Sequence, residues 1–417
     1  MNERLLQYIW QFQYFNQNDL FTQEGERVRI ISPGILNTNQ GPDFSDARIR
    51  INEATWAGAV ELHNFTSEWK KHDHSSDKNY NNVILHVVWQ HDKRVNDLPV
   101  LELHDRVPKF LLDRYEKMMK LKAFIPCVDN IRNIPKLVML NWKDRLIAGR
   151  LERRSRIIGA FLEENNLHWE ETFWWTLARN FGTKVNGQAF ESVARSITLN
   201  ILAKHKHQLH QVEAILLGQA GLLEEKFTSS YPVMLKKEFE FLKKKYKLPN
   251  VFERVQLLRM RPGNFPVIRF AQLAMLITQS AHLFSKIKEE PQLQKVREIF
   301  DVTANDYWCY HYFPGDESRF LPKRIGETMI DNIIINTIVP MLYAYGQYHN
   351  IPELMERAVS WLHQSGREKN KITNGFIRAG VENRSAGDSQ ALLELKNEYC
   401  DKRRCLDCAI GNQLLKG

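Results

Sequence analysis

Three side chains in the first part of the chain have types and a spacing suited to hydrolytic chemistry. Asp43 follows a proline in the segment GPDF, and Glu61 and His63 lie two residues apart in the segment VELH. Two carboxylates that lie close together bind a hard cation such as Mg²⁺ or Mn²⁺, which prefers oxygen ligands. A histidine beside them can position water or stabilise developing charge. Together they supply the parts of a metal-assisted phosphodiester hydrolysis site, in which Asp43 and Glu61 hold the metal and all three residues are catalytic.

The neighbouring sequence predicts how these residues come together. Residues 47–51 (ARIRI) and 55–63 (TWAGAVELH) are strand-like and separated by a short turn, so we expect them to pair as an antiparallel hairpin. This register places Asp43 opposite Leu62. The glutamate and the histidine of the second strand share one face of the sheet because side chains alternate along a strand. The hairpin therefore predicts that the three side chains converge at one end of the sheet, with the Leu62 carbonyl as a further ligand.

The elements around this hairpin are predicted to be two helices and three more strands. Residues 83–89 (VILHVVW) are almost entirely apolar, which is typical of a strand buried on both faces. The other predicted elements are a helix at 3–15, strands at 27–31 and 99–103, and a short helix at 67–71.

From about residue 133 the sequence changes to helical periodicity, and residues 380–390 are polar and predict a linker. We therefore expect an α+β fold, with a small mixed α/β module followed by a larger all-α region. The predicted boundaries are 1–125 for the mixed module, 133–380 for the basic all-α region and 391–417 for a C-terminal segment with clustered cysteines.

The motif GPDF, followed by seventeen residues between Asp43 and Glu61 and then by VELH, resembles the pattern of the PD-(D/E)XK nuclease superfamily. The resemblance covers residues 1–105 and implies a restriction-endonuclease-like module that cuts nucleic acid with Mg²⁺ or Mn²⁺. It implies Asp43 and Glu61 as metal ligands and His63 at the position of a lysine. Because a histidine is mostly neutral at pH 7, either the chemistry is modified or the site is not catalytic. The superfamily often adds a glutamate from the first helix, which the sequence alone does not identify.

The whole chain is also similar to an uncharacterised bacterial family, common in Bacteroidetes, that is known only as a domain of unknown function. This resemblance implies no activity. The segments that carry it are GPDFSDARI, GAVELH, SEWKKHDHSSDKNYNNVILHVVW, RPGNFP and YCDKRRCLDCAIG.

A surplus of basic residues lies in the second part of the chain. The formal net charge is +9, yet residues 1–125 hold 16 basic and 17 acidic residues. A basic surplus favours polyanionic partners, nucleic acid first, although a solvated helix face that only aids solubility has the same composition. The predicted nucleic-acid contacts are Arg150, Arg153, Arg154, Arg259 and Arg261.

Three of the five cysteines crowd the C-terminal segment with the spacing C-x4-C-x2-C. Thiolates at such a spacing bind zinc or an iron–sulfur cluster, and some nuclease-like proteins of the superfamily named above hold a cluster with one distant cysteine and three near the C-terminus. A closed site needs a fourth ligand, for which Cys127, Cys309 and His311 are candidates. The alternative is a set of reduced surface cysteines or a redox pair. The predicted metal ligands are Cys400, Cys405 and Cys408.

Three hypotheses for the function follow. The first is a Mg²⁺- or Mn²⁺-dependent nuclease-like enzyme. The second is a non-catalytic nucleic-acid-binding or assembly protein with a degenerate nuclease core. The third is a zinc-dependent hydrolase of another substrate that uses His63, His72 and His74, whereas His86 is predicted to be a core histidine.

The sequence also predicts where the protein works. An acidic residue near the start, the lack of an 18-residue apolar run and the odd number of cysteines favour a cytoplasmic protein without a membrane partner. No G-x-x-x-x-G-K-[ST] motif is present, so we do not expect intrinsic ATP use. The sequence leaves the oligomeric state open.

Overall fold

The structure is a computed structural model that describes residues 1–72, 77–257, 262–280 and 282–416. The chain divides into two compact units. The first comprises residues 1–142, 378–381 and 395–417, and the second comprises residues 143–377 and 382–394. The first unit holds a sheet and the second is mainly helical, as the sequence predicts. Within the described ranges, no helix is both long enough and apolar enough to cross a membrane.

The first unit begins with a helix and a seven-stranded sheet. Its first three helices are α1 (Glu3–Gln11), α2 (Glu68–Lys71) and α3 (Lys109–Lys120). Its strands are β1 (Leu20–Phe21), β2 (Arg27–Ser32), β3 (Ile35–Leu36), β4 (Phe44–Ile51), β5 (Ala54–Phe65), β6 (Val83–Gln90) and β7 (Val100–Glu102). The bounds of β2, β4, β5, β6 and β7 agree closely with the strands that the sequence predicts, whereas the two-residue strands β1 and β3 are not predicted.

The sheet is mixed, with the order β1-β2-β4-β5-β6-β7 and with β3 paired to β4. The strands from β1 to β5 pair antiparallel, whereas β5 pairs parallel with β6, and β6 pairs parallel with β7. A parallel pair needs a crossover between its strands, and α2 lies in the connection from β5 to β6. The predicted hairpin of β4 and β5 therefore occupies the centre of the sheet.

Strand β4 shows the predicted alternation of buried and exposed side chains. Ala47, Ile49 and Ile51 are buried in the core of this unit, and Arg48 and Arg50 between them are exposed. Because side chains alternate across the pleat, one face of the strand packs inward and the other meets solvent. The period of two in the sequence is thus sufficient to orient this strand.

Helix α1 packs its apolar side on the same core. Leu6, Ile9 and Trp10 are fully buried there. The helix ends at Gln11 rather than near residue 15 as predicted, because Gln13 adopts a left-handed backbone conformation with φ of 54°. The apolar spacing of the sequence continues past this point, but the helical conformation of the backbone ends.

A β-bulge alters the register next to the predicted site. From the turn back to Ala47, which faces Gly58, the ladder of β4 and β5 follows the predicted register. Between Ala47 and Phe44 the register shifts by one residue. Asp46 lies in the shifted part with φ of 57°, a conformation that aspartate tolerates better than most residues. The prediction that Asp43 lies directly opposite Leu62 is therefore wrong by one position.

The second unit begins within the long helix α4 (Lys136–Glu164) and is built mainly from helices. A π-helical segment, Ile334–Ile338, joins α14 to α15. The helices are α5 (Trp169–Phe181), α6 (Thr183–Arg195), α7 (Leu199–His205), α8 (Leu209–Gln219), α9 (Ser230–Tyr246), α10 (Pro266–Gln279), α11 (Leu283–Glu289), α12 (Leu293–Ile299), α13 (Asp306–Cys309), α14 (Glu327–Ile333), α15 (Val339–Tyr348), α16 (Pro352–Gln364), α17 (Lys371–Arg378) and α18 (Ala386–Glu394). The first unit adds the last helix, α19 (Ala409–Lys416).

Two features of the second unit differ from the prediction. The region is not all-α, because β8 (His311–Phe313) and β9 (Asp316–Glu317) form a small antiparallel hairpin. Residues 380–390 are not simply a linker, because α18 begins within them and its Ser389 is fully buried. The Ser389 hydroxyl donates a hydrogen bond to Asn383 at 2.8 Å. The polar composition of this segment thus reflects buried, hydrogen-bonded side chains.

Candidate functional site

Asp43 and Glu61 meet where β4 and β5 leave their regular pairing. The backbone N–H of Asp43 donates to Glu61 Oε2 at 3.0 Å, and the backbone N–H of Leu62 donates to Asp43 Oδ2 at 2.9 Å. The Gln7 amide of α1 donates to Asp43 Oδ1 at 2.7 Å. These three hydrogen bonds hold both carboxyl groups at one position of the sheet, next to the first helix. The predicted convergence of the two acidic side chains is present, although the register differs.

The surroundings make it costly for both carboxyl groups to be ionised. Burial raises the pKa of Asp43 above its ordinary value, and the Leu62 N–H and the charge of Glu3 modify it further. Burial raises the pKa of Glu61 more strongly, and the nearby charge of Asp43 adds to this. Like charges that share a buried site cannot both ionise easily. A bound cation would remove this penalty, which is why such pairs are frequent in metal sites.

Three further residues, which the sequence alone does not assign to the site, lie near the two carboxyl groups. Glu3 and Gln7 are four residues apart on α1 and therefore lie on the same side of the helix. The charge of Glu3 raises the pKa of both carboxyl groups, so this glutamate lies near them. Tyr80 is also close, because burial and the charges of Glu61 and Asp43 raise the pKa of its phenol to about 12. The polar i,i+4 pair of Glu3 and Gln7 on this amphipathic helix was the available signal.

His63 lies at the centre of a chain of three histidines beside the carboxylates. Its Nδ1 is 2.9 Å from His86 Nε2, and its Nε2 is 3.2 Å from His72 Nδ1 and 3.6 Å from Glu61 Oε1. His63 and His86 are almost completely buried. Three neutral imidazoles can form such a chain, since each offers one N–H donor and one acceptor nitrogen. The structure thus brings His86, predicted as a core residue, into contact with the site, whereas His74 lies outside the described residues.

The described residues do not by themselves form a complete metal cage. In residues 1–72, 77–257, 262–280 and 282–416, no group of three or more histidine, cysteine, aspartate or glutamate side chains is arranged to hold a metal ion. Mg²⁺ differs from other metals in this respect, because it is commonly held by one or two carboxylates together with water and substrate phosphates. The pair of Asp43 and Glu61 is compatible with that mode of binding.

The predicted nucleic-acid contacts of α4 are half-buried rather than freely solvated. Arg150 and Arg153 both pair with Glu394. The Arg154 guanidinium donates to the backbone carbonyl of Asn336 at 2.7 Å. Arg259 and Arg261, the other predicted contacts, lie outside the described residues.

The four cysteines of the first unit lie close together. Cys127 lines one small cavity with Cys400, Cys405 and Cys408, and all four are free thiols. Burial raises the pKa of Cys127 to about 12 and that of Cys405 to about 11, and in both cases a neighbouring thiol adds to the increase. Cys309 and His311, the other candidates for the fourth position, belong to the second unit. Of the predicted candidates, Cys127 is therefore the one that joins the C-terminal cysteines.

Comparison with known proteins identifies a family. Neither the curated proteins nor the solved structures include a significant match to this chain. A family model with the description "Protein of unknown function (DUF2851)" matches residues 3–371. Because this match covers most of the sequence, the chain belongs to the DUF2851 family.

Proposed function

We propose that the protein is a phosphodiesterase of the nuclease type that uses Mg²⁺ or Mn²⁺ at Asp43 and Glu61. One observation carries the proposal: the buried carboxyl group of Glu61 and the half-buried one of Asp43, each with a raised pKa, are held together by hydrogen bonds at the edge of a regular β-ladder. Such an arrangement is unfavourable for folding without a cation and favourable with one. Perturbed acidic pairs of this kind are concentrated at functional sites.

The order of elements supports a restriction-endonuclease-like core. The chain runs from α1 through the antiparallel strands β2, β4 and β5 to the short helix α2 and the buried parallel strand β6. This is the order that the resemblance to the PD-(D/E)XK superfamily implies. Glu3 of α1 fits the additional glutamate that the superfamily often takes from its first helix, since its charge acts on both carboxyl groups.

The cation and the residues around it would have separate roles in the reaction. A divalent cation at Asp43 and Glu61 would polarise the scissile phosphate and lower the pKa of a bound water. His63 is oriented by His86, and its Nε2 atom lies 3.6 Å from Glu61 and 3.2 Å from His72, so this atom can exchange a proton with either neighbour. Gln7 fixes the orientation of Asp43 through the hydrogen bond described above.

The test is cleavage by variants that keep the shape of the site. We expect the purified protein to cut nucleic acid with Mg²⁺ or Mn²⁺, and we expect Asp43→Asn and Glu61→Gln each to reduce the rate at least about a hundredfold, because each removes a metal ligand. Glu53→Gln, which changes an exposed acid in the turn between β4 and β5, is the matched control. Undiminished cleavage by the Asp43→Asn, Glu61→Gln double variant would refute the assignment. Binding without cleavage in the native protein would favour the non-catalytic alternative.

A zinc-dependent hydrolase is a second candidate, and the histidine chain favours it. Donors that bind tetrahedral zinc at roughly 2.0–2.2 Å lie about 3.3–3.5 Å from each other. His63 Nε2 lies 3.2 Å from His72 Nδ1 and 3.6 Å from Glu61 Oε1. A three-histidine site would also need His74, which lies outside the described residues. Activation by Zn²⁺ rather than by Mg²⁺, lost in His72→Ala, would select this candidate over the first.

We also propose that Cys127, Cys400, Cys405 and Cys408 hold a structural zinc ion or an iron–sulfur cluster. Four thiols from two distant parts of the sequence line one cavity, which is the ligand number that both groups require. Arg403 lies near Cys405, where its charge favours the thiolate form. The four sulfur atoms are not arranged as ligands in the described structure, so the proposal requires side-chain rotations around the metal.

A further inference from the structure

A large cavity in the second unit is lined by more positive than negative side chains. Its volume is about 820 Å³, within the range of small-molecule binding sites. It lies among α4, α5, the start of α6 and the π-helical segment between α14 and α15. The charged residues that line it are Arg150, Arg154, Arg179, Lys184 and Glu191.

Arg154 has no acidic partner in the described part of the chain. Its polar contact is the hydrogen bond to the Asn336 carbonyl. Burial, together with the positive charges of Arg150, Arg179 and Arg153, lowers the pKa of its guanidinium to about 10. Each of these influences opposes the charged form. A guanidinium that is buried among other cations is destabilising unless an anion accompanies it.

The neighbouring arginines differ from Arg154 because they have carboxylate partners. Arg150 and Arg153 share Glu394, and Arg179 pairs with Glu191. Glu191 is itself shared with Arg195. Arg195 also pairs with Glu164, so the net positive charge of the cluster comes from Glu394 serving both Arg150 and Arg153 and from Arg154, which has no carboxylate partner among the described residues.

The other walls of the cavity suit the uncharged part of a ligand. Ile157, Phe161 and Met341 are apolar, and Asn180 and Asn336 lie near the arginines. The π-helical segment contributes Asn336 to this wall, and irregular helix turns of this type are frequent at functional sites. A site with cations at one place and apolar side chains nearby is complementary to a phosphorylated organic molecule.

We infer that this cavity binds a phosphorylated small molecule of nucleotide size, with its phosphate on Arg154 and Arg179 and its organic part against Ile157 and Phe161. Guanidinium groups bind phosphate by paired, charge-assisted hydrogen bonds, and Lys184 at the cavity surface adds a third cation. A cavity of this volume suits one small molecule better than a polynucleotide, which needs an extended groove. The inference is independent of the proposed hydrolase site and stands if that site is inactive.

The test uses adenosine monophosphate (AMP), inorganic phosphate and adenosine as probes in calorimetric titrations of the full chain. We expect AMP to bind most tightly, phosphate to bind more weakly and adenosine to bind weakest, because the phosphate supplies the charge and the base adds apolar contact. Arg154→Met should weaken AMP binding at least about tenfold, since it removes a charge-assisted contact. Arg156→Met, an exposed arginine on the same helix, is the matched control.

Thermal unfolding of the same variants separates a binding role from a structural role. Without ligand, we expect Arg154→Met to leave the melting temperature unchanged or to raise it, because replacing an unpaired buried charge by an apolar side chain removes a penalty. Equal affinity of the native protein and Arg154→Met for AMP would overturn the inference, as would no binding of AMP or phosphate at about millimolar concentration. Binding of a single-stranded oligonucleotide that depends on Arg154, without binding of AMP, would also overturn it in favour of a nucleic-acid site.

Discussion

At the scale of single residues, the protonation of Asp43 and Glu61 links stability to pH and to metal. Both carboxyl groups have a higher pKa in the folded protein than in an unfolded chain, because they are buried next to each other. Between the ordinary carboxyl pKa of about 4 and the raised values, the folded protein holds more protons than the unfolded chain. The free energy of unfolding therefore falls as pH rises through this interval.

This linkage gives a prediction for Glu61→Gln. The amide cannot ionise, so the metal-free variant should lose less stability than the native protein between about pH 5 and about pH 9, a difference on the order of 1–3 kcal/mol at the upper end. Chemical unfolding at several pH values in the presence of a chelator measures it. Addition of Mg²⁺ should restore stability to the native protein and have little effect on the variant. Parallel pH profiles for the two proteins would contradict this explanation.

At the scale of elements, the hairpin and the buried strand β6 follow from local sequence, because alternation and apolar runs encode strands directly. The bulge at Asp46 cannot be predicted from the local sequence, because a single residue in a left-handed conformation produces no periodic pattern of apolar residues. The roles of Glu3 and Gln7 also depend on how α1 packs on the sheet. The sequence predicts a linker at residues 380–390 because composition does not distinguish exposed polar residues from buried, hydrogen-bonded ones such as Ser389.

The cysteine cluster gives a prediction at this scale, since it joins the C-terminal segment to the loop around Cys127. We expect close to one equivalent of zinc, or iron and sulfide, in purified protein. We also expect Cys405→Ser to lose the metal and to lower the melting temperature, because structural metal sites contribute directly to folding. Cys309→Ser, in the second unit, should retain the metal. Less than a few tenths of an equivalent of zinc and iron in both aerobic and anaerobic preparations would rule the site out.

At the scale of the whole molecule, the positive surplus of the second unit bears on the proposed nucleic-acid partner. Because Arg150 and Arg153 are paired with Glu394, more accessible cations are better candidates for phosphate contacts. Helix α9 presents the exposed side chains of Lys237, Lys244 and Lys245. Exposed cations keep most of their freedom to replace the counterions of nucleic acid.

We therefore expect nucleic-acid affinity to fall steeply with added salt. Replacing Lys237, Lys244 and Lys245 by glutamate should reduce the slope of log affinity against log salt by roughly 2–3, since each lost phosphate contact removes about 0.7–0.9. Arg154→Met should leave the slope unchanged, because that residue is assigned to the separate small-molecule cavity. Fluorescence anisotropy with a labelled oligonucleotide between about 50 and about 200 mM salt measures both variants. An unchanged slope in the triple variant would return these lysines to the role of a solubilising surface.

The first unit is discontinuous in sequence, and this has a consequence for its biosynthesis. Residues 395–417 belong to the same compact unit as residues 1–142. At a translation rate of about 5–20 residues per second, the ribosome needs roughly 13–50 s to proceed from Trp142 to Leu395. During that time the nascent sheet lacks residues 395–417, and none of the three thiols that share the cavity of Cys127 has been made. This unit is therefore completed late in the synthesis of each chain. Before residues 395–417 are made, the Cys127 thiol is most accessible to oxidants and chaperones.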